Sequence, residues 1–462
     1  MFEDSVYIAR RKALRDRFGT GVLLFIGNVD APMNYPHNCY PFRQDSSFSY
    51  FFGLRQPGLA ALIDIDANSE AIFGNEHDLD AEIWTGAREA LGDQCARVGC
   101  PGLKPYGELA SLLQQASRQA RTVHFLPAYR GETVAELSRL LCKSVDEIER
   151  GASLELIHAV VGLRQIKSSA EVAQIEIALG ISDEMHRAAM RAAKPGVLER
   201  EVVAEMRRVL CRRGSAEAYG SILTKRGEVL HNLNYDLRLE EGDLVVNDSG
   251  ATSPLDYASD ITRTLPVGGR FNARQRELYA LLLEAQQAGI DAMRPGVPFA
   301  QVHRFAATTI VEGMAGLGFF HGNAADIVES GAYAICFPHG LGHQLGLDVH
   351  DMEALGEDHV GYDRSVKKSP LFGLSNLRMG KPLQVGMVMT VEPGIYFIPA
   401  LIEQWAAEGR GQGLIDYQRF RDYIGFGGMR VEDEVLVTET AARVMGTPIP
   451  KSVEDVEAAM NQ

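Results

Sequence analysis

The chain has 462 residues, and its 61 Asp and Glu residues against 46 Lys and Arg residues give a formal net charge of −15 at pH 7. At roughly 100–200 residues per domain, this length predicts two or three domains. The acidic balance argues against a surface that neutralises nucleic-acid phosphates or anionic lipid, so we expect neither nucleic acid nor a membrane as a partner. No apolar run approaches the ~20 residues of a membrane span, and the N-terminus lacks the apolar core of a signal peptide, which together indicate the cytoplasm.

The N-terminal third alternates short apolar strands with helical stretches, which is the α/β pattern. Strands are predicted at Val22–Ile26, Ala60–Ile65 and Val123–Leu126. Helices are predicted at Asp80–Ala90 and Tyr106–Ala120. Further along, Ser168 is followed three positions later by Glu171, a capping box that predicts the start of a long helix. We therefore expect a smaller α/β domain over residues 1–163 and a second domain over residues 164–462.

A short repeat divides the second domain into two halves. Pro195-Gly196-Val197 follows one predicted helix and precedes another, and Pro295-Gly296-Val297 does the same 100 residues later. The flanking helices are predicted at Glu199–Arg213, Ala273–Ala292 and Phe299–Ala315. A string this short also recurs by chance, but the matching helices favour a repeat. The pattern predicts a pseudo-symmetric α+β fold with a site between the sheets of the two halves.

Two aspartates lie in consecutive apolar strands of this domain. Strand alternation puts Asp248 on the inward face of Asp243–Gly250 and Asp260 on the inward face of Ala258–Pro266. An inward carboxylate is costly unless it is paired, protonated or bound to a metal. Two of them also repel each other, and a dication would remove that repulsion. The alternative is that both are turn aspartates at strand ends. This is common for a single aspartate and less convincing for a pair in consecutive strands.

The tract Pro338–Asp351 carries three histidines, His339, His343 and His350, within twelve positions. The glycines between them disfavour a continuous helix, and the tract lacks the HExxH pattern of helical zinc sites. Histidines flanked by glycine are typical of irregular backbone that approaches a ligand closely. A single histidine is usually structural, but three so close together favour a site.

Two glutamates complete the candidate set. Glu392 ends another apolar strand, and alternation in the last strand places Arg430 and Glu432 on one face. We expect Asp433 and Glu434 to be exposed or strand-pairing charges without a catalytic role. Four carboxylates and one imidazole suit hard or borderline ions such as Mn²⁺, and bridging carboxylates would hold two ions ~3.5–4 Å apart. The five candidate ligands are Asp248, Asp260, His343, Glu392 and Glu432.

The order Asp, Asp, His, Glu, Glu resembles the motifs of the pita-bread metallopeptidases, which include aminopeptidase P, prolidase, methionine aminopeptidase and creatinase. The N-terminal stretch YPFRQDSSFSYFFG is similar to the domain that precedes the catalytic half in aminopeptidase P and prolidase, and methionine aminopeptidase lacks that domain. The resemblance implies an α+β pita-bread (creatinase/aminopeptidase-like) catalytic domain behind a smaller α/β N-terminal domain. It also implies a homodimer or homotetramer.

The resemblance assigns a role to each candidate ligand. Asp248 would chelate one ion, Asp260 and Glu432 would bridge two, and His343 and Glu392 would complete the shell of the second. The ions would be Mn²⁺, with Zn²⁺ or Co²⁺ as alternatives. The spacing between the two aspartates is one residue longer than the family's usual spacing, so the ATSPLDY turn carries an insertion.

The same resemblance implies an activity, the hydrolysis of the bond between an N-terminal residue and proline by a hydroxide that bridges the ions. Glu392 would accept the proton of the water, and His339 and His350 would orient the substrate and relay protons. The implied substrate-binding residues are His231, His339, His350, Arg378 and Arg430.

Three alternatives stay open for the substrate and the activity. The stretch Ile398–Tyr423 and the spacing of 14 positions from Arg378 to Glu392 resemble prolidase, which gives a slight preference for dipeptides over the longer peptides of an Xaa-Pro aminopeptidase. A non-catalytic binding module of the same fold would generally have lost metal ligands. A creatinase-like or organophosphate-cleaving hydrolase is the third alternative.

Overall fold

The structure is a computed structural model that describes all residues from Met1 to Gln462. The chain forms two compact units, one of residues Met1–Arg164 with Met352–His359 and one of residues Gln165–Asp351 with Val360–Gln462. None of the helices combines the length and the apolar character that crossing a membrane requires.

The first unit surrounds a five-stranded sheet with eight helices. The strands are β1 (Val22–Ile26), β2 (Ala60–Asp64), β3 (Ser69–Phe73), β4 (Leu103–Lys104) and β5 (Val123–His124). Their order is β4-β3-β2-β1-β5, antiparallel except for the β3–β4 and β1–β5 pairs. The helices are α1 (Asp4–Arg15), α2 (Ser46–Phe52), α3 (Leu79–Thr85), α4 (Leu91–Arg97), α5 (Leu109–Arg118), α6 (Gly131–Leu141), α7 (Val145–Arg150) and α8 (Leu154–Arg164). Apolar side chains of β1, β2, α5 and α6 form its core.

One predicted helix of this unit is wrong in its length. The helix expected over Asp80–Ala90 ends at Thr85, because Gly86 follows it with φ +83°, a left-handed value that ends the helix. The chain is helical again only in α4, and Asp78 caps the start of α3 by accepting the Ala81 N–H.

The second unit carries eight helices of its own, the last residue of a ninth, and three antiparallel sheets. The helices are α9 (Ser169–Ala192), α10 (Glu199–Arg213), α11 (Ala273–Ala292), α12 (Phe299–Gly316), α13 (Ala324–Glu329), α14 (Glu357–Val360), α15 (Pro399–Glu408), α16 (Tyr417–Arg421) and α17 (Val453–Met460). The strands are β6 (Ile222–Thr224), β7 (Leu244–Asp248), β8 (Thr262–Pro266), β9 (Val388–Val391), β10 (Gly394–Tyr396), β11 (Gly428–Arg430), β12 (Asp433–Val437) and β13 (Ala442–Val444). The sheets have the orders β6-β7-β8, β13-β12-β9 and β10-β11. Helix α14 straddles the boundary between the two units.

The structure contains the predicted repeat. Helices α9 and α10 pack together, as do α11 and α12, and a Pro-Gly turn joins each pair. The Gly196 N–H donates to Leu239 O at 2.7 Å, and the Gly296 N–H donates to Leu383 O at 2.8 Å. Both glycines have a positive φ, +90° and +86°, which a residue with a Cβ rarely adopts. The two turns therefore require glycine for the same reason.

The strands of the two halves meet where the candidate ligands lie. Asp248 is the last residue of β7, and Glu392 directly follows β9. The chain between β11 and β12 runs beside β8, because the Glu432 N–H donates to Thr262 O at 3.0 Å and Thr264 Oγ1 donates to Arg430 O at 2.9 Å. This crossing brings residues distant in sequence to one place.

Candidate metal centre

The structure brings all five candidate ligands into one buried cluster. The ligand atoms of Asp260, His343 and Glu432 lie within 4.8 Å of one another. His343 Nε2 is 3.4 Å from Asp260 Oδ2 and 3.6 Å from Glu392 Oε1. Asp248 joins through Tyr219, whose hydroxyl contacts Asp248 Oδ1 at 2.5 Å and also contacts Asp260 Oδ1.

His343 is held on irregular backbone by Thr390 of β9. The His343 N–H donates to Thr390 Oγ1 at 3.0 Å, and the Thr390 N–H donates to His343 O at 2.9 Å. The neighbouring Gly342 packs so closely that a Cβ there would lie 2.0 Å from Thr390 O, so only glycine fits. His343 Nδ1 lies 3.1 Å from Gln344 O, and because a carbonyl only accepts, Nδ1 donates. The other ring nitrogen, Nε2, therefore faces the carboxylates.

The electrostatics of the cluster fit a bound cation. Glu432 Oε2 accepts a hydrogen bond from Thr262, but Oε1 is buried and accepts none. Burial, followed by the charges of Asp260 and Glu392, raises the pKa of Glu432 well above its ordinary value. Burial also raises the pKa of Glu392, to about 7. A divalent ion would give the orphaned oxygen a partner and remove the repulsion, so these residues fit a metal.

A chain of hydrogen bonds leads from the cluster to His339. Arg430 Nη2 donates to Asp248 Oδ2, and Arg430 Nη1 donates to Tyr396 Oη at 2.7 Å. His339 Nδ1 donates to Gly340 O at 2.8 Å, so its Nε2 accepts from the Tyr396 hydroxyl at 2.9 Å. Burial and the charge of Arg430 lower the pKa of His339 to about 3. The ring is therefore neutral, with a defined tautomer.

The remaining predicted substrate residues differ in their exposure to solvent and in their contacts with the cluster. The ring centroid of His350 is 4.4 Å from that of His343 in an edge-to-face contact, so His350 borders the cluster. His231 is exposed and makes no hydrogen bond, although it is close enough that its charge lowers the pKa of His339. Arg378 is half-buried on a segment that pairs with Gly361, where the Gly380 N–H donates to Gly361 O at 2.8 Å.

The expectation that Asp433 and Glu434 are exposed is wrong, because both side chains are buried. The predicted last strand is two strands: β11 ends at Arg430 and β12 begins at Asp433 in another sheet. Asp433 pairs with Arg263 at 2.7 Å and with Lys451 at 2.6 Å. Glu434 Oε1 accepts the Asp260 N–H at 2.7 Å and so fixes the backbone of a candidate ligand.

Four residues that contact the candidate ligands or their partners were not identified from the sequence. Two tyrosines contact candidate ligands or their partners, one threonine donates to Glu432 and the other accepts the His343 N–H: Tyr219, Tyr396, Thr262 and Thr390. Thr262 shares the inward face of Asp260 by strand alternation, which was a usable signal. Tyr219 lies outside any strand or helix, and its sequence position carries no such signal.

Comparisons with known proteins identify the family of the chain. Residues 173–439 match Metallopeptidase family M24, and residues 7–124 match Aminopeptidase P, N-terminal domain. The Xaa-Pro dipeptidase of Homo sapiens is 31% identical over 429 residues, which cover 91% of this chain and 84% of that protein. The Xaa-Pro aminopeptidase of Escherichia coli (strain K12) is 29% identical over 468 residues, which cover 98% and 96%.

The aminopeptidase PepP of Pseudomonas aeruginosa has a similar structure, with a TM-score of 0.81 and 27% identity over 100% of this chain and 98% of that chain. These matches confirm the predicted family and the predicted α+β pita-bread catalytic domain behind a smaller α/β N-terminal domain. The chain belongs to metallopeptidase family M24.

Proposed function

We propose that the chain is an Xaa-Pro peptidase that hydrolyses the bond between an N-terminal residue and proline with the help of two divalent ions. The convergence of four carboxylates, three of them buried, and one imidazole, with an orphaned oxygen on Glu432, carries this proposal. The similar proteins named Xaa-Pro dipeptidase and Xaa-Pro aminopeptidase support the choice of bond.

We assign the ligands as the family resemblance does. Asp248 would hold one ion, Asp260 and Glu432 would hold both, and His343 and Glu392 would complete the shell of the second. The oxygen-rich set favours Mn²⁺, with Zn²⁺ or Co²⁺ as alternatives. When bound, such ions polarise the scissile carbonyl and lower the pKa of a water molecule.

The protein side chains then move protons and hold charge. Glu392, whose Oε1 lies 3.6 Å from His343 Nε2 within the cluster, accepts the proton of the attacking water. His350, whose ring borders His343, donates to the oxygen that becomes negative. The proline nitrogen carries no hydrogen, so it must receive a proton as it leaves, and Glu392 returns the one it took.

The remaining residues orient the substrate and the ligands. Both terminal nitrogens of Arg430 are engaged by Asp248 and Tyr396, so we assign Arg430 to holding the ligand shell as well as bordering the substrate. His339, whose ring is held by Tyr396, is assigned to orienting the substrate. His231 and Arg378 remain candidates for the two ends of the peptide, with Arg378 directed at the carboxylate of a dipeptide.

The finer assignments extend this proposal to domains, assembly and compartment. We assign residues 1–163 to the N-terminal domain and residues 164–462 to the catalytic domain, in a homodimer or homotetramer. All six cysteines are free, which supports a reducing compartment such as the cytoplasm. Sedimentation of the full chain tests the assembly, and a monomer at working concentration would contradict it.

The activity is tested with Mn²⁺-loaded protein and two substrates, Ala-Pro and Ala-Pro-Ala. Cleavage of either supports an Xaa-Pro peptidase, and cleavage of Ala-Pro alone supports the dipeptidase. Asp260→Ala should remove nearly all activity, while Asp291→Ala, at an exposed position on α11, should keep it. Absence of cleavage of both substrates, with metal bound, would contradict the proposal and favour a binding module.

A further inference from the structure

A fully buried ion pair lies near the proposed site, and the proposed function gives it no role. Lys167 Nζ is 2.8 Å from Asp351 Oδ2, and each side chain is only 1% exposed. Removing two charges from water costs several kcal/mol, and such a pair adds little net stability over apolar side chains of the same size. We therefore expect the pair to fix the position of neighbouring residues rather than to stabilise the fold.

Lys167 projects from rigid parts of the second unit. It directly precedes Ser168, which caps α9 through a reciprocal pair of hydrogen bonds with Glu171. The Lys167 N–H donates at 2.8 Å to the carbonyl of Gly386, in the turn that leads into β9. Helix α9 and strand β9 thus fix the backbone from which the ammonium group reaches.

Asp351 closes the loop that carries His350. Its N–H donates to Gln344 O at 2.9 Å, and its Oδ1 accepts the Asp348 N–H at 3.4 Å. A Cβ on Gly346 would lie 2.6 Å from Asp351 Oδ2 and 3.0 Å from Lys167 Cε, so glycine leaves the space that the ion pair occupies. The loop is therefore built around this pair.

The backbone just after the pair is also unusual. Met352 has φ +65°, a left-handed value that is strained for a residue with a side chain. Strain of this kind persists only where the surrounding contacts hold the chain in place. Asp351, between His350 and Met352, supplies such contacts.

We propose that Lys167 is a positioning residue for the hydrolytic reaction, because its ammonium group fixes Asp351 and so holds His350 against the metal cluster. This inference rests on the proposed function, in which His350 donates to the developing negative charge. The ring of His350 lies 4.4 Å from that of His343, so a small shift of the loop would directly change the position of His350 relative to the cluster. A displacement near 1 Å at such a group can lower a rate by about 100-fold.

A double-mutant cycle tests the inference on the Mn²⁺-loaded full chain with Ala-Pro as substrate. The variants are Lys167→Met, His350→Ala and the two combined, and kcat, KM and bound metal are measured for each. Lys167→Met should lower kcat by about 10- to 100-fold at unchanged metal content, with KM within about 3-fold. With His350 already replaced, the same change should lower kcat by less than about 3-fold, since the two residues act as one unit.

Equal losses in both backgrounds, or a parental kcat in Lys167→Met, would overturn the role of Lys167. A parental kcat in His350→Ala would instead show that the proposed function of His350 is wrong, and the inference would fall with it. Asp351→Asn keeps the shape of the carboxylate and serves if Lys167→Met does not fold. A parental kcat in that variant would also overturn the inference. Lys12→Met, which breaks an exposed ion pair of α1, is the control and should keep kcat.

Discussion

Thr262 Oγ1 donates a hydrogen bond of 2.8 Å to Glu432 Oε2, whereas the other carboxylate oxygen of Glu432 is buried and accepts no hydrogen bond. Burial and then the charges of Asp260 and Glu392 raise the pKa of Glu432 well above its ordinary value. In the absence of ions, this carboxylate therefore destabilises the fold around it. Metal binding and the stability of the ion-free protein should respond to Glu432 in opposite directions.

Glu432→Gln is predicted to stabilise the ion-free protein and to weaken its metal binding. The neutral amide removes one charge from a set of repelling carboxylates, which should stabilise the chelator-treated protein by about 1–3 kcal/mol. Thermal denaturation in EDTA and calorimetric titration with Mn²⁺ measure the two effects. Glu403→Gln, at an exposed ion pair with Arg421, is the matched control. A lower melting temperature in EDTA together with parental Mn²⁺ affinity would contradict the account.

Metal removal should lower the stability of the parental chain, because an ion that binds only the folded state stabilises it by mass action. At Mn²⁺ about 1,000-fold above its dissociation constant, the expected gain is about 4 kcal/mol. Differential scanning calorimetry with and without chelator measures the shift. Asp260→Ala should show no shift, and an equal shift in that variant would place the stabilising ion elsewhere.

Tyr396→Phe is predicted to lower kcat by about 10- to 100-fold without loss of metal. The hydroxyl accepts from Arg430 and donates to His339, so its removal frees both partners while the five ligands remain. Steady-state kinetics with metal analysis measures the effect. Tyr417→Phe removes a more exposed hydroxyl that donates to Arg410 O and should leave kcat unchanged. Unaltered kinetics in Tyr396→Phe would remove the hydrogen-bond chain from the mechanism.

His303 should make the fold sensitive to acid. Its Nδ1 accepts the Leu341 N–H at 3.1 Å, so its Nε2 donates to Tyr333 Oη at 2.7 Å, and burial lowers its pKa from 6.5 to about 3. Between these values the unfolded chain binds a proton at His303 and the folded chain does not. Stability is therefore lost as the pH falls through this window, by about 1.4 kcal/mol per pH unit from this group.

His303→Asn tests that dependence, because asparagine still accepts the Leu341 N–H but does not titrate. The variant should be less stable at pH 7.5 by about 1–3 kcal/mol, and the difference from the parental chain should shrink toward pH 5. Urea unfolding in EDTA at several pH values, followed by Trp405 fluorescence in a Trp84→Phe background, measures it. A difference that stays constant with pH would show that His303 does not titrate as stated.

Local sequence patterns predicted the long helices well, and they singled out two of the candidate ligands. The helices over Glu199–Arg213 and Ala273–Ala292 agree with the structure at both ends, because a sustained helical period with capping residues is a local property. Asp248 and Asp260 stood out because a charge on an apolar strand face is costly wherever it occurs. Strand alternation therefore pointed to these two aspartates, whereas His343 lies on irregular backbone that has no such period.

The supporting contacts were not foreseeable, because their partners are distant in the chain. Glu434 looks like a surface charge until the Asp260 N–H, 174 residues away, meets it. Asp433 is buried only because Arg263 and Lys451 neutralise it. Lys167 and Asp351, 184 residues apart, likewise form a buried pair in which each charge neutralises the other. A local sequence pattern does not show which distant charge will neutralise a buried one.

The central claim is that the five candidate ligands hold a pair of divalent ions. A crystal structure of the Mn²⁺-loaded chain, with anomalous scattering collected at the manganese edge, tests it most directly. The account predicts two anomalous peaks about 3.5–4 Å apart, with Asp260 and Glu432 in contact with both. A cluster without anomalous density, in crystals grown at saturating Mn²⁺, would contradict the account.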